Sequence, residues 1–144
     1  MAETQNFQNH TRWFPLFHFV IFPILAFNLV WQSVRLYQEP SWDRAEWVLM
    51  SIAFILMLLA ARLQALRAQD RLIRLEERLR YQRLLSPELA ARMSELKTGE
   101  IIALRFASDS ELGALGERVL NGEFANTTEI KRAVTDWRPD HLRV

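Results

Sequence analysis

The sequence predicts an all-α protein: a transmembrane helical hairpin whose second helix extends into the cytoplasm, followed by a small cytoplasmic helical domain. Three observations predict it. Two long apolar segments stand in the first half of the 144-residue chain, a charged segment without Pro or Gly continues the second, and helix-capping residues recur in the last third. The mean hydropathy of -0.06 therefore averages two very different regions, residues 13–61 and 62–144.

The first apolar segment, residues 13–34, contains no Asp, Glu, Lys or Arg. At about 1.5 Å per residue it extends about 33 Å, which is enough to cross a hydrocarbon core of about 30 Å. Trp13 and Trp31 lie about 27 Å apart along a helix, so each indole can reach a headgroup region. We predict transmembrane helix 1 over residues 13–34, after a cytoplasmic N-terminal tail over residues 1–12.

The second apolar segment, residues 47–61, is short for a membrane span. Its apolar face continues beyond Arg62, whose long side chain can reach the membrane interface. We predict an extracytoplasmic loop over residues 35–44 and transmembrane helix 2 over residues 45–66. The expected membrane-interface anchors are Trp13, Trp31, Trp42, Trp47, Arg62 and Arg67.

The distribution of arginines predicts the orientation. Residues 35–46 hold two Arg against three acidic residues, whereas residues 62–83 hold seven Arg against three. Because Lys and Arg are enriched on the cytoplasmic side, both termini are expected in the cytoplasm. The first eleven residues contain no Lys or Arg, and no small-residue cleavage pattern follows, so a cleaved signal peptide is not expected. A soluble two-helix core is disfavoured because the rest of the chain is too short to cover two helices that are apolar all round.

The charged segment that follows has no helix breaker before Pro87. One helix is therefore expected from about Ala45 to Leu85, with residues 67–85 as a cytoplasmic extension about 28 Å long. Leu72, Leu75 and Leu79 follow the spacing of a coiled-coil seam and are the expected helix–helix contacts of this extension. The same pattern serves a homo-oligomer and a hetero-oligomer. Glu76 and Arg80 have the favourable acid-first i,i+4 order.

The pattern of residues 86–144 predicts a helical domain. Its core is too small to be stable alone, so we expect the domain to dock on the long helix or on another protein. Ser86-Pro87 predicts a helix start, with that helix ending near Leu96. Residues 100–107 favour a short helix, although a strand is also compatible with the two Ile. The remaining signals are a capping-box spacing at residues 108–111, a stop at Asn121-Gly122, and a last helix capped by Thr127 or Thr128 and ending at Trp137.

Two polar residues in the first span are candidate functional groups. His18 could ligate a haem or chlorophyll, contact a partner helix, or reach water at the interface. Asn28 is expected to hydrogen-bond across to another helix. No second His lies in either span, the chain has no Cys, and no phosphate-binding loop or nucleophile motif is present. We expect no catalytic residues, no metal site and no cofactor, with His18 as the one cofactor-binding candidate.

The arginine-rich helix face has two further interpretations. Anionic lipid would attract basic residues near the membrane surface, which applies to Arg62 and Arg67 more than to Arg80. Nucleic acid is not an expected partner because Asp and Glu are interleaved with the arginines.

The chain resembles a family of small bacterial two-pass membrane proteins of unknown function. The resemblance rests on residues 5–7, 9–10, 12, 15, 17–19 and 23 near the N-terminus (QNF, NH, R, P, FHF and P), on AQDR and IRLEER within residues 68–78, on ALRFASD at 103–109 and on WRPDH at 137–141. It covers nearly the whole chain. It implies the same architecture in a bacterial membrane and brings no catalytic residues.

From these observations we expect a non-enzymatic protein of the bacterial inner membrane, acting as an accessory or assembly subunit of a larger membrane complex, with a respiratory or photosynthetic complex as examples. Its expected partners are the lipid bilayer and other membrane protein subunits. The alternative is a self-associating membrane scaffold or sensor that forms a homo-oligomer. A weaker alternative is a cofactor-binding subunit that uses His18.

Overall fold

A computed structural model of the chain describes residues 6–7 and 13–139. They belong to two compact units. We call residues 13–67 the apolar hairpin, and residues 68–139 together with 6–7 the charged unit. The described residues form helices and no strand, so the all-α class is confirmed. The elements are a π-helical segment Leu16–Ile21, then α1 Phe22–Gln38, α2 Trp42–Leu84, α3 Pro87–Ser94, α4 Thr98–Leu104, α5 Leu112–Leu120 and α6 Thr127–Ala133.

The first helix of the apolar hairpin begins with wide π turns. The amide of Phe22 donates to the carbonyl of Phe17, five residues back, and the π-helical segment gives way to α1 immediately before Pro23. Pro23 has no N–H to donate, and its ring crowds the carbonyl four residues earlier in a regular α-helix. The wider turns avoid the regular hydrogen bond that Pro23 cannot make at this position.

The connection between α1 and α2 is shorter than the predicted loop over residues 35–44. The helix α1 continues to Gln38 and α2 begins at Trp42, which leaves residues 39–41 as the turn. Arg44 stabilises this turn by donating to the carbonyls of Arg35 (3.0 Å) and Glu39 (2.9 Å) and by pairing with the Glu39 carboxylate. These bonds cap the end of α1, and they explain why the helix extends past residue 34.

The helix α2 is continuous over its 43 residues. At about 1.5 Å per residue its length is about 65 Å, as expected for one helix that includes both the apolar segment and the charged extension. The part in the charged unit, residues 68–84, carries Ile73 and Tyr81 into the core of that unit. The expectation of a single long helix from the apolar segment to residue 85 is confirmed to within a few residues.

The local capping signals are partly confirmed. The Ser86 side chain accepts a hydrogen bond from the amide of Leu89 at the start of α3, and α5 ends at Leu120 before Gly122 at φ 73°. The helix α3 ends at Ser94, two residues before the predicted end. Residues 108–111 do not form the predicted capping box, because the Glu111 carboxylate instead accepts from the amides of Thr135 (2.9 Å) and Asp136 (3.1 Å).

The last helix differs most from its prediction. Its cap is Asn126, whose side chain accepts from two amides of the first turn, and it ends at Ala133 rather than at Trp137. Trp137 pairs with Ala107 in an antiparallel bridge, in which the amide of Arg138 donates to the carbonyl of Phe106 at 2.7 Å. Residues 100–107 are thus helical only as far as Leu104. The reason is long-range pairing with the chain's own C-terminal segment, which sequence spacing does not show.

The core of the charged unit is small and apolar. Tyr81 of α2 belongs to one buried cluster with residues of α3, α4, α5 and α6, and Phe106 packs against Trp137 with ring centroids 4.9 Å apart. Gly116 allows a close approach, since a Cβ at that position would lie 2.4 Å from the terminal carbon of Met93. The other core side chains are Ala90, Met93, Ala103, Leu104, Ala107, Leu112, Leu115, Val119, Ile130 and Val134.

Candidate functional site

The extension of α2 presents two chemically different faces within the charged unit. One face is buried and carries Ile73, Glu77, Arg80 and Tyr81, each less than a tenth exposed. The other face carries Leu72, Leu75 and Leu79, which are 55%, 56% and 59% exposed. In a heptad assignment with Leu72 and Leu79 at a and Leu75 at d, the buried residues occupy positions b, f, b and c. The later helices therefore cover the side of α2 opposite the leucines.

Arg80 is the centre of a buried charge cluster. Its Nη1 donates to Glu77 Oε2 (3.1 Å), its Nη2 to the Ala107 carbonyl (2.7 Å), and its Nε to Asp109 Oδ1 (2.8 Å). All three guanidinium nitrogens have acceptors, although the side chain is only 4% exposed. This is the arrangement a buried cation requires, since a charge without partners at such a position is strongly destabilising.

Glu77 connects the cluster to the C-terminal segment. Its Oε1 accepts from Arg138 Nη1 at 3.3 Å, while its Oε2 accepts from Arg80. Burial raises the pKa of the Glu77 carboxyl above its ordinary value, and the neighbouring guanidiniums of Arg80 and Arg138 offset part of that rise. The hydrogen bond from Arg80 lowers the pKa of the half-exposed Asp109 carboxyl. The cluster therefore joins α2 to residues 107–109 and 138.

Tyr81 adds a polar group to the core one turn from Glu77. Its side chain is fully buried, and its hydroxyl makes no hydrogen bond to any of the residues that the structure describes. Burial raises the pKa of the Tyr81 phenol, and the adjacent Glu77 carboxylate raises it further. The phenol therefore stays neutral and acts as a packing group.

The exposed leucines form a surface that we call the leucine stripe, defined as Leu72, Leu75 and Leu79. Ala68 continues it by one position in the same heptad assignment, and Gln82 ends it. Arg71 and Glu76 flank it at positions g and e, and both are exposed. Among residues 6–7 and 13–139 no helix covers the three leucines, so the predicted helix–helix contact stays a prediction about a second chain.

In the apolar hairpin the burial pattern is reversed. Ser51 is the one buried side chain among residues 13–67, at 2% exposure. Its hydroxyl donates to the Trp47 carbonyl (2.8 Å) and accepts from Asn28 Nδ2 (2.8 Å). The structure thus places Asn28, a predicted helix–helix contact, in a hydrogen bond between α1 and α2. The partner Ser51 carried no signal in the sequence, because a lone Ser in an apolar helix commonly bonds only its own backbone.

The open end of the hairpin is lined by cation–π contacts. The Arg62 guanidinium lies 6.0 Å from the ring centroid of Phe14 and 5.7 Å from that of Phe17. Together with the Asn28–Ser51 bond and the Arg44 turn, these contacts define an antiparallel pair of helices. Arg62, expected as an interface anchor, thus packs its head group on aromatic rings.

His18 lies in the π-helical segment between aromatic rings. Its Nδ1 is 2.9 Å from the carbonyl oxygen of Phe14, and since a carbonyl only accepts, Nδ1 carries the proton. The ring meets Trp13 and Phe17 edge-on, with centroids 4.9 Å away in each case. In the neutral ring Nε2 would then carry the lone pair that a haem or chlorophyll ligand requires. No other side chain of the described residues joins it in a group that could hold a metal ion.

The other predicted anchors are side chains at the surface. Trp13, Trp31, Trp42 and Trp47 are all more than half exposed, and Arg67 is exposed as well. Large exposed indoles at both ends of apolar helices are typical of the membrane interface. Of the predicted site residues, Asn28 and Arg62 make contacts across the hairpin.

The buried charge cluster is the feature that sequence reasoning missed. The i,i+4 spacing pointed to Glu76 as the partner of Arg80, whereas the structure pairs Arg80 with Glu77 and with Asp109, 29 residues away. One signal was available: Glu77, Arg80 and Tyr81 lie opposite the leucine stripe on the helical wheel. An arginine on the domain-facing side of a helix needs an acceptor from that domain.

An open depression of about 300 Å³ lies beside α4, lined by Arg92, Glu95, Leu96, Lys97, Glu100 and Leu120, with charges of both signs. The two longest helical stretches, Leu16–Gln38 and Trp42–Leu84, are long and apolar enough to cross a membrane.

Comparison with known proteins gives a family and no function. The chain matches the model of the family described as "Family of unknown function (DUF6526)" over residues 1–144, so it belongs to that family. No curated protein and no solved structure matches the chain.

Proposed function

We propose that this member of a family of unknown function is a non-enzymatic integral membrane protein of the bacterial inner membrane. In this proposal it acts as an accessory or assembly subunit of a larger membrane complex. Both termini lie in the cytoplasm, and the charged unit stands on the cytoplasmic side of the hairpin.

The observation that carries the proposal is the reversed burial of the apolar hairpin. Its large apolar side chains are exposed along both helices, while the residue it buries is the polar Ser51. In water such a surface would be far larger than soluble proteins tolerate. In a bilayer the same surface contacts lipid tails or partner helices at no cost, and the buried hydrogen bond holds the two helices together.

A role as a subunit is supported by apolar surface that lipid does not reach. Leu72 lies six residues beyond the predicted membrane end at residue 66, and Leu79 lies thirteen beyond it, so the leucine stripe extends about 9–20 Å further along α2. Three half-exposed leucines in that position are the kind of surface that a partner helix covers.

The experiment that tests this proposal is native purification of a tagged chromosomal copy in mild detergent. The mass of the assembly is measured, and every co-purifying protein is identified. We expect a stoichiometric complex with other membrane subunits. If the leucine stripe joins identical chains, a variant with Leu72 and Leu75 both changed to Asp loses that homo-oligomer while it stays in the membrane. A wild-type preparation that contains neither lipid nor any partner would contradict the proposal.

A second candidate function is a self-associating membrane scaffold or sensor, favoured by the same leucine stripe. Native mass separates the two: a species of two or more identical chains without other subunits indicates the scaffold. A cofactor-binding role for His18 is the weaker alternative. Haem or chlorophyll bands in the absorbance spectrum of the native preparation, lost in His18→Ala, would support it.

A further inference from the structure

We propose that the leucine stripe is a self-association surface, through which two copies of this chain form a short parallel coiled coil in register. The occupant of the stripe is thus a second α2. This inference rests on the proposed membrane insertion, because two chains inserted with the same orientation present their α2 extensions side by side and pointing the same way.

The first argument is the position of the stripe on α2. Within residues 68–84 the buried side chains are Ile73, Glu77, Arg80 and Tyr81, at positions b, f, b and c, whereas every a and d position is exposed. Ala68, Leu72, Leu75 and Leu79 supply four successive layers of such a seam. A parallel pair needs only these positions. Helices α3 to α6 pack on the opposite side of α2, so they leave this face open to a second copy.

The second argument is charge complementarity at the edges of the stripe. In a parallel coiled coil in register, position g of one helix faces position e of the following heptad on the other, five residues later. Arg71 at g then faces Glu76 at e of the second copy. The twofold symmetry repeats the pair on the other edge. Within one chain both side chains are exposed, and they make no ion pair with the described residues.

The third argument is that the seam has a defined end. After Leu79 the next d position is Gln82, and the next e position is Arg83, which faces a second Arg at position g, Arg78. Arg78 instead donates to the Ser94 carbonyl of its own chain at 2.9 Å. The contact therefore ends near residue 79. A seam of about two heptads is marginally stable in water. Insertion of both chains in one membrane raises their effective concentration, which favours this weak association.

The absence of cysteine from the chain permits a direct test in the full-length protein. Leu72→Cys, Leu75→Cys and Leu79→Cys are placed singly and oxidised mildly in native membranes. A disulfide forms only where two Cα atoms approach within about 7 Å. We expect each variant to give a covalent dimer of two identical chains at about ten times the yield of the matched control Leu84→Cys. Leu84 is partly exposed on the same helix but lies at position f.

Equal yields at residues 72, 75, 79 and 84 would overturn the proposal, and so would a covalent product that contains a different protein. These positions are exposed, so a failure to fold is not the expected cause of a missing product. A monomer that remains in carbonate-washed membranes refutes the dimer alone. A chain released by the carbonate wash refutes the proposed membrane function instead.

Charge exchange tests the register. Arg71→Glu and Glu76→Arg each place like charges opposite one another on both edges, and each should weaken association about fivefold, which corresponds to about 1 kcal/mol. The double variant restores opposite charges and should recover the wild-type dimer fraction. If both single variants dimerise as the wild type does, the parallel register is wrong.

Discussion

The apolar hairpin and the charged unit are both built from helices, but they bury opposite kinds of side chain. The charged unit buries an apolar core and leaves charge at its surface, apart from the Arg80 cluster and the buried Arg105. The hairpin exposes its apolar side chains and buries one Ser that is hydrogen-bonded to Asn28. The contrast indicates a different solvent for each unit. In lipid, apolar side chains gain little by being buried between helices, so a buried polar contact is what holds two helices together.

The two units also differ in what buried polar groups contribute. In the charged unit Arg80 has several acceptors, but Tyr81 at the next position has a hydroxyl without any within the described part of the chain. In the hairpin the hydroxyl of Ser51 both donates and accepts. We therefore expect loss of the Arg80 charge to destabilise the charged unit strongly and loss of the Tyr81 hydroxyl to stabilise it. Substitutions at polar positions of the hairpin should change its stability little.

The largest effect is expected from Arg80→Met. The change leaves Glu77 buried with only the 3.3 Å contact to Arg138 and leaves the Ala107 carbonyl without its donor. Removing one partner of a buried ion pair costs about 3–5 kcal/mol. A unit of this size has little stability to spare, so a brief thermolysin pulse at increasing urea should cleave the charged unit at much lower urea than in the wild type.

Arg83→Met is the matched control for that change. Arg83 lies one turn further along α2, is exposed, and makes no hydrogen bond or ion pair with residues 6–7 or 13–139. Its charge acts on the cluster only as the smallest of the causes that lower the pKa of Asp109, so its urea midpoint should fall far less than that of Arg80→Met. The double variant Arg80→Met with Glu77→Met removes both buried charges and should recover much of the loss. If the double variant is as unstable as Arg80→Met, the ion pair is not the source of the effect.

A change of opposite sign is expected from Tyr81→Phe. The substitution keeps the ring in the core and removes a buried hydroxyl that no acceptor satisfies in the described structure, so the charged unit should gain about 1 kcal/mol. The same thermolysin assay measures the gain as a higher urea midpoint. Tyr37→Phe, at a fully exposed tyrosine of the hairpin, serves as the control and should leave the midpoint unchanged. A lower midpoint for Tyr81→Phe would reveal that the hydroxyl is bonded after all.

The hairpin should respond weakly to Asn28→Ala. The change removes the hydrogen bond to Ser51, and such bonds between membrane helices contribute about 0.6 kcal/mol on average. Dyes on Leu16→Cys and Leu63→Cys report the separation of the two helices by energy transfer as dodecyl sulfate is added. The midpoint should fall slightly for Asn28→Ala and stay constant for Ser33→Ala, whose hydroxyl bonds only within its own helix. Equal shifts in the two variants would contradict the assignment.

Sequence reasoning succeeded where structure follows from neighbouring residues. The all-α class, the long α2, the Ser86 cap and the stop before Gly122 all depend on composition or on contacts within a few positions. It failed where distant segments meet. The last helix ends early because Trp137 pairs with Ala107, and the Arg80 cluster depends on Asp109 and Arg138, which only the folded chain brings together.

The leucine stripe also has one property that the sequence predicts and one that only the folded chain shows. Heptad spacing predicted the leucine stripe from the sequence alone, because which residues share a helix face is a local property. That the stripe is open rather than covered by the chain's own domain is a long-range property. It followed only from the burial of Ile73, Glu77, Arg80 and Tyr81 on the opposite side.

The smallest effect that still separates the two units is the dependence of their stability on pH. The hydrogen bond from Arg80 lowers the folded-state pKa of Asp109 below its ordinary value of 3.8, so this carboxylate stabilises the charged unit above pH 3.8 and the contribution is lost as the pH falls through the folded pKa. Between pH 5 and the acid transition, Asp109→Asn should therefore lose less stability than the wild type in the same urea assay with a pepsin pulse, since pepsin is active in acid.

Asp136→Asn is the control for this change, because the Asp136 side chain makes no ion pair with the described residues, and it should follow the wild-type pH profile. The energy-transfer midpoint of the hairpin should not follow the Asp109 titration, since Arg80 and Asp109 both lie in the charged unit. If the hairpin midpoint shifted with acid in the wild type but not in Asp109→Asn, the two units would be thermodynamically coupled. The contrast between them would then describe their composition and not their stability.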